Sequence, residues 1–294
     1  MPLRQFPFVH VDVFTSSPLE GNQLAVFPDA RGLGDAEMQK LAKEMNLSET
    51  TFILPRDAET EAREGVRVRI YTVAEELPFA GHPTLGTAWY LKQQRPDASE
   101  IVLHLNAGRV PVRFETRDDG LFGEMRQPEP QFGRLHQHSE VARALGVPLA
   151  DLDETLPIQT VSTGMPFTIV AFRESSTLSA LRVSWQQIAG YIDSTQQGSG
   201  FLYFVARDGQ RRLRARMIFY NGEDPATGSA AGCCVAWAVK HGVFASDEQG
   251  LIEQGREVLR PSSIFVRAAR TADGVTNVRV GGHVVPVIDG KVNL

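Results

Sequence analysis

One short pattern is written twice in this 294-residue chain, and that duplication constrains the fold more than any other feature. The first copy reads Ala80-Gly81-His82-Pro83-Thr84-Leu85-Gly86-Thr87-Ala88, the second Gly222-Glu223-Asp224-Pro225-Ala226-Thr227-Gly228-Ser229-Ala230. Aligned by identity, His82 falls on Asp224, Pro83 on Pro225, Gly86 on Gly228, Thr87 on Ser229 and Ala88 on Ala230. Each copy follows an alternating, strand-like run, at residues 66–71 and 213–219. Each precedes a segment that is apolar or small on nearly every face, residues 84–91 and 226–239. A helix of that kind must be surrounded by protein. The expectation is an α+β fold of two related, β-rich halves, each wrapped around a central helix. Regular alternation of strand and helix is absent, no Gly-x-Gly-x-x-Gly follows the first strand, and there is no Walker-type loop, so a dinucleotide-binding fold is disfavoured.

A chain of this length with 42% hydrophobic residues can bury two cores. The boundary is expected in the proline-rich stretch Gln127-Pro128-Glu129-Pro130-Gln131, giving halves of 1–127 and 128–283. A net charge of −5, with both signs interspersed, offers no basic face for nucleic acid or an anionic membrane. The longest apolar run, residues 232–239, is far short of a membrane span, and the N-terminus has no signal-peptide pattern. Cys233 and Cys234 are neighbours, so neither a disulfide nor a metal-site spacing is expected. The plain reading is a cytoplasmic protein.

Further strands are expected at residues 9–13, 24–27, 51–54, 101–105, 110–114, 167–171, 201–206, 264–267 and 284–288. Asp35 is expected to cap a helix that ends at Asn46. A short helix at 139–145 should stop at Gly146, and Ser184 should open another.

His82-Pro83 and Asp224-Pro225 read as two helix starts, because Asp is a strong N-cap and proline suits the first helical position. Helix starts present unpaired N–H groups that bind carboxylates and phosphates. Facing each other, they would hold a small anion flanked by His82, Asp224 and Ser229. Either motif alone reads equally as a plain cap, and the repetition alone as an inherited scaffold. Glu49, between a helix end and an apolar strand, is ordinarily a solvated loop residue; its neighbours Leu47, Phe52 and Ile53 allow a partly desolvated carboxyl suited to proton transfer. Glu20-Gly21-Asn22-Gln23 reads as a turn between the first two strands.

Taken together, Glu20-Gly21-Asn22, Asn46-Leu47-Ser48-Glu49-Thr50, the segment from Glu76 to Ala88, Ser162-Thr163-Gly164, Glu223 to Ala230 and Arg260-Pro261-Ser262 resemble the phenazine-biosynthesis isomerase-like (PhzF-like) family, in order and over nearly the whole chain. The resemblance implies a diaminopimelate epimerase-like fold of two pseudo-symmetric, barrel-like domains with the site in the interdomain cleft. It implies that residues 284–294 return to the N-terminal half. It maps the catalytic glutamate onto Glu49, its partners onto His82, Asp224 and Ser229, and substrate-binding groups onto Asn22, Gly81 and Gly228. The implied chemistry is isomerisation of a small carboxylate-bearing, cyclic substrate by proton transfer, without cofactor or metal. A homodimer is the expectation for such folds. Two other readings stand beside it: an amino-acid epimerase or racemase on the same fold, and a non-catalytic protein that binds a small carboxylate. The first needs a pair of reactive cysteines near the helix starts, whereas Cys233 and Cys234 lie about two and a half turns into theirs.

Overall fold

The computed structural model describes residues 4–195, 198 and 200–294. The chain divides into two compact units, one ending at Arg126 and resumed by Gly281–Leu294, the other Gln127–Val280.

The first unit contains β1 (Gln5–Val13), β2 (Asn22–Phe27), α1 (Asp35–Met45), β3 (Glu49–Leu54), α2 (Ala58–Glu64), β4 (Val66–Tyr71), β5 (Glu76–Leu77), α3 (Gly81–Gln94), β6 (Glu100–Leu105), β7 (Gly108–Arg117) and β8 (Gly120–Arg126). The second contains β9 (Gln131–His136), α4 (His138–Leu145), β10 (Ile158–Ser162), β11 (Pro166–Phe172), α5 (Ser175–Ala180), α6 (Trp185–Ser194), β12 (Phe201–Arg207), β13 (Arg212–Phe219), β14 (Gly222–Glu223), α7 (Gly228–Lys240), β15 (Gly250–Gln254) and β16 (Ser262–Thr271). The long β17 (Gly274–Asn293) begins in the second unit and finishes in the first.

In the first unit the strands pair in the order β1, β2, β3, β4, β6, β7, β8, and the far part of β17 pairs with both β8 and β1. That ring has no free edge and encloses α3, which packs against β1, β2, β3, β6, β7 and β8. Every residue from Gly81 to Trp89 is buried, as an all-round apolar helix requires. Gly86 lets strands approach: a Cβ there would come within 2.6 Å of Leu24 Cδ2 and 2.9 Å of Val13 Cγ2.

The second unit repeats the connections. The pairs β11–β12 and β13–β15 are parallel, as β2–β3 and β4–β6 are. Its central helix α7 is buried from Gly228 to Val239 and packs on β10, β11 and β16. The fold is therefore α+β, two pseudo-symmetric barrel-like units each wrapped around one helix.

The repeat itself is offset from its identity alignment. In the first unit Arg69 grips Glu76 through two bonds, Nε–Oε1 at 2.8 Å and Nη2–Oε2 at 2.6 Å. In the second Arg216 grips Glu223 the same way, at 2.8 and 2.7 Å. Both pairs span seven residues, tie a two-residue strand to its neighbour, and precede helices whose first residues are Gly81 and Gly228. In this correspondence His82 matches Ser229, each the second helical residue, and Asp224 stands before its helix. The expected starts at His82-Pro83 and Asp224-Pro225 are corrected accordingly: α3 begins one residue earlier, at Gly81, and α7 three residues after Pro225. Asp35 is likewise the first residue of α1, not its cap; Gly34 is the cap, and the Glu37 carboxylate accepts its N–H at 3.1 Å. The expected stops at Asn46 and Gly146, both in the left-handed region, and the Ser184 cap are as anticipated.

Candidate active site

Strands β2 and β3 run parallel, with Leu24 opposite Glu49, so Asn22 and Glu49 open neighbouring strands at the same end. The start of α3 lies there too, because the hydroxyl of Thr87 donates to Thr51 Oγ1 at 2.8 Å and ties helix to strand. Three of the expected site residues thus come together in the first unit. His82 Nε2 lies 3.5 Å from Glu49 Oε2, and Asn22 Nδ2 lies 3.2 Å from His82 Nδ1. The turn before Asn22 is as expected: Gly21 has φ +67°, and a Cβ there would strike the Val13 carbonyl oxygen.

His82 is 3% exposed, and burial pushes its imidazole down to about 3, against a hydrogen bond with the Gln23 backbone that works the other way. At neutral pH the ring is uncharged. Its approach to Glu49 is therefore a carboxyl beside a neutral imidazole, not an ion pair. Among the described residues nothing completes a hydrogen bond to Nε2. Glu49 is neither a solvated loop residue nor fully enclosed: it opens β3 with its side chain 16% exposed. That partial enclosure suits a base that must reach a substrate.

Both central helices start without a side-chain cap. Ala80, the N-cap of α3, has no polar side chain, and Thr227, the N-cap of α7, makes no cap bond. The N–H groups of Gly81 and His82, and those of Gly228, Ser229 and Ala230, have no acceptor within their helices by geometry, and all five residues are buried. A buried, uncapped helix start is a ready place for a carboxylate. In the second unit Asp224 and Ser229 are each 6% exposed. The Asp224 carboxylate accepts from Thr227 Oγ1 at 2.6 Å, and Gln127 Nε2 donates to the Gly228 carbonyl at 2.9 Å.

The units differ at one decisive position. Where β3 opens with Glu49 in register with Leu24, the matching strand β12 opens with Phe201 in register with Phe167. The glutamate is not duplicated.

Several contributors escaped the sequence reading. Thr227, Gln254 and Gln127 build the polar setting of α7, and Thr51 and Thr87 lock α3 to β3. Thr87 and Thr227 lie inside the two copies of the repeat and Gln127 opens the proline-rich stretch, but none was assigned this role, and Gln254 carried no signal. Cys233 and Cys234 are buried and unpaired with each other; burial pushes Cys233 up to about 11 and Cys234 still further. They are core thiols. Among the described residues no cluster of three or more His, Cys, Asp or Glu could hold a metal ion, and no helix is long and apolar enough to cross a membrane.

Comparison with known proteins agrees with this architecture. The profile of a family described as phenazine biosynthesis-like protein (PhzC-PhzF) matches residues 11–290. The chain is 36% identical over 295 residues to trans-2,3-dihydro-3-hydroxyanthranilate isomerase from Pseudomonas chlororaphis, covering 98% of this chain and 99% of that one. A Bacillus anthracis phenazine biosynthesis protein of the PhzF family superimposes with a TM-score of 0.85 at 25% identity, over 98% of this chain and 99% of that one. A hydroxyproline epimerase from Agrobacterium vitis shares the fold, with a TM-score of 0.67 at 13% identity, over 99% and 93% of the two chains.

Proposed function

Because this chain belongs to the phenazine biosynthesis-like protein family and is an isomerase, we propose that it moves a proton within a small, carboxylate-bearing cyclic substrate, with Glu49 as the base and no cofactor. Glu49 takes a proton from an activated carbon and returns it to another carbon of the same molecule. The electron pair of the broken C–H bond shifts through the conjugated system, and the carboxyl group carries the proton in between. The observation that carries this reading is the placement of Glu49 Oε2 3.5 Å from Nε2 of a neutral, buried His82. A neutral ring lets the carboxylate stay basic, which an imidazolium beside it would not.

His82 orients the substrate, with Asn22 holding the ring. The amide of Gly81, at an uncapped helix start, binds its carboxylate, and the amide of Gly228 is assigned the same role on the strength of the family resemblance. Asp224 and Ser229 are assigned to the same reaction on the strength of the family resemblance. The relatives named trans-2,3-dihydro-3-hydroxyanthranilate isomerase suggest the substrate class: a cyclic diene bearing an amine and a carboxylate. Incubation with trans-2,3-dihydro-3-hydroxyanthranilate in heavy water, followed by NMR, should show deuterium at a ring carbon of the product. No exchange with that compound or its close analogues would overturn the reading. An epimerase relying on cysteine is disfavoured by the burial of both thiols.

A further inference from the structure

One buried amide organises the loop that carries Asp224. Gln254, the last residue of β15, is 1% exposed and uses every hydrogen-bonding position of its side chain. Oε1 accepts from the Tyr203 hydroxyl at 2.9 Å and from the Thr227 N–H at 3.1 Å. Nε2 donates to the Asp224 carbonyl at 2.7 Å and to Thr227 Oγ1 at 3.0 Å. Turned over, the amide would set its oxygen against acceptors, so its orientation is fixed. Tyr203 is a secure donor, because burial pushes its phenol well above the ordinary range.

The direction of the chain then follows. Thr227 Oγ1 accepts from Gln254 and directs its own proton onto Asp224 Oδ2, at 2.6 Å. A threonine at an N-cap ordinarily turns its hydroxyl to the first-turn amides; Thr227 makes no such bond. Its hydroxyl serves the carboxylate and leaves the helix start uncapped.

We propose that Gln254 and Thr227 are positioning residues that hold Asp224 as a hydrogen-bond acceptor, so that Asp224 receives an ammonium or hydroxyl group of the substrate and is not the acid of the reaction. The inference rests on the reading above, in which Asp224 meets the substrate. A donor aimed at a carboxylate favours its ionised form, so removing that donor makes the group harder to ionise.

Thr227→Val removes the hydroxyl at nearly constant shape, and Thr227→Ser restores it. Carboxyl 13C NMR of aspartate-labelled protein reads the titration of Asp224 without reference to activity. In Thr227→Val that titration rises by about one pH unit, the worth of one hydrogen bond to a charged group, and Thr227→Ser returns it to the wild-type position. Gln254→Met, which releases the threonine hydroxyl to rotate, produces a smaller rise. The acidic limb of kcat/KM for deuterium exchange into the substrate moves upward with the titration. An unchanged titration in Thr227→Val overturns the clamp, and an unchanged one in Gln254→Met overturns the part given to Gln254. A titration that rises together with a faster exchange at neutral pH overturns the acceptor role, since protonated Asp224 would then be the active form. Absence of exchange in the wild-type protein would remove the isomerase reading, while the titrations would still decide the clamp.

Discussion

Glu49 Oε2 and His82 Nε2 stand 3.5 Å apart, with the histidine neutral. The contact between the two is therefore that of a carboxyl with a neutral ring. In the role proposed for it, Glu49 exchanges its proton without breaking an ion pair to His82. Proton transfer by a positioned side chain is worth about 10²–10⁴ in rate. Glu49→Gln should reduce deuterium exchange by that factor, while isothermal calorimetry shows a carboxylate ligand still bound. Exchange at the wild-type rate would remove Glu49 from the base role.

Asn22 is buried beside the His82 ring. Asn22→Leu removes the amide and leaves Nδ1 without that partner, a loss of about 1–3 kcal/mol for a buried polar group. The expected result is a fall in kcat of about tenfold or more with a smaller change in KM, because the ring is misplaced while the helix start remains. Steady-state kinetics with the dihydroanthranilate separates the two constants.

Acid should destabilise the fold from a pH at which most proteins are still secure. His82 is held down at about 3 by burial, whereas in an unfolded chain it titrates near 6.5. Between those limits the unfolded chain binds more protons than the native one, so stability is full above about pH 6.5 and declines as the pH falls. The slope from His82 approaches roughly 1.4 kcal/mol per pH unit. His136, pushed down to about 4 by burial and by Arg134, adds to the decline in the same window, reduced by solvent screening. Urea unfolding at pH 7, 6 and 5 measures it, and a flat profile would contradict the neutral, buried state of both rings.

Two glycines inside the central helices should respond unequally to a methyl group. At Gly86 the obstacles are the ends of Leu24 and Val13, which can shift slightly. At Gly232 a Cβ would run into the Gln127 amide, which is held by Thr163 Oγ1 at 2.6 Å and by the Gly228 carbonyl. Gly86→Ala should cost about 1 kcal/mol and Gly232→Ala about 3 kcal/mol, the range for overpacking with and without a broken buried bond. Chemical denaturation of the two variants gives the comparison directly.

The thiols should be silent. Cys233→Ala with Cys234→Ala should leave deuterium exchange within about twofold, since neither side chain is a thiolate at neutral pH given the raised values for buried thiols. A native protein unreactive to a thiol reagent, reactive only after urea, is the accompanying result.

Much of this arrangement was legible in the chain. A helix with no polar face has to be enclosed, and both α3 and α7 are. Alternation marked most strands because one face of each is buried. The exceptions have physical causes. In β15 the buried residues are Gly250, Ile252 and Gln254 while Leu251 is partly exposed, which hides the usual apolar period. Most of β9 is exposed, so it carries little hydrophobic signal. The true start of α7 depends on bonds from Gln254, twenty-six residues beyond Gly228, and no local rule sees them. The identity alignment put His82 on Asp224 because proline and glycine dominate short motifs. The equivalent residue by structure is Ser229, a match revealed by the Arg69–Glu76 and Arg216–Glu223 pairs.

The strand β17 has a consequence for the order in which the protein can be built. Its far part, Gly281–Leu294, follows the whole of the second unit in the chain, yet it supplies the stave between β8 and β1. Until then the first 126 residues can assemble only an open sheet with two bare edges, the kind of surface that recruits other strands. The first unit is thus closed only after the second has been synthesised, and the second is made while its elder neighbour waits unfinished.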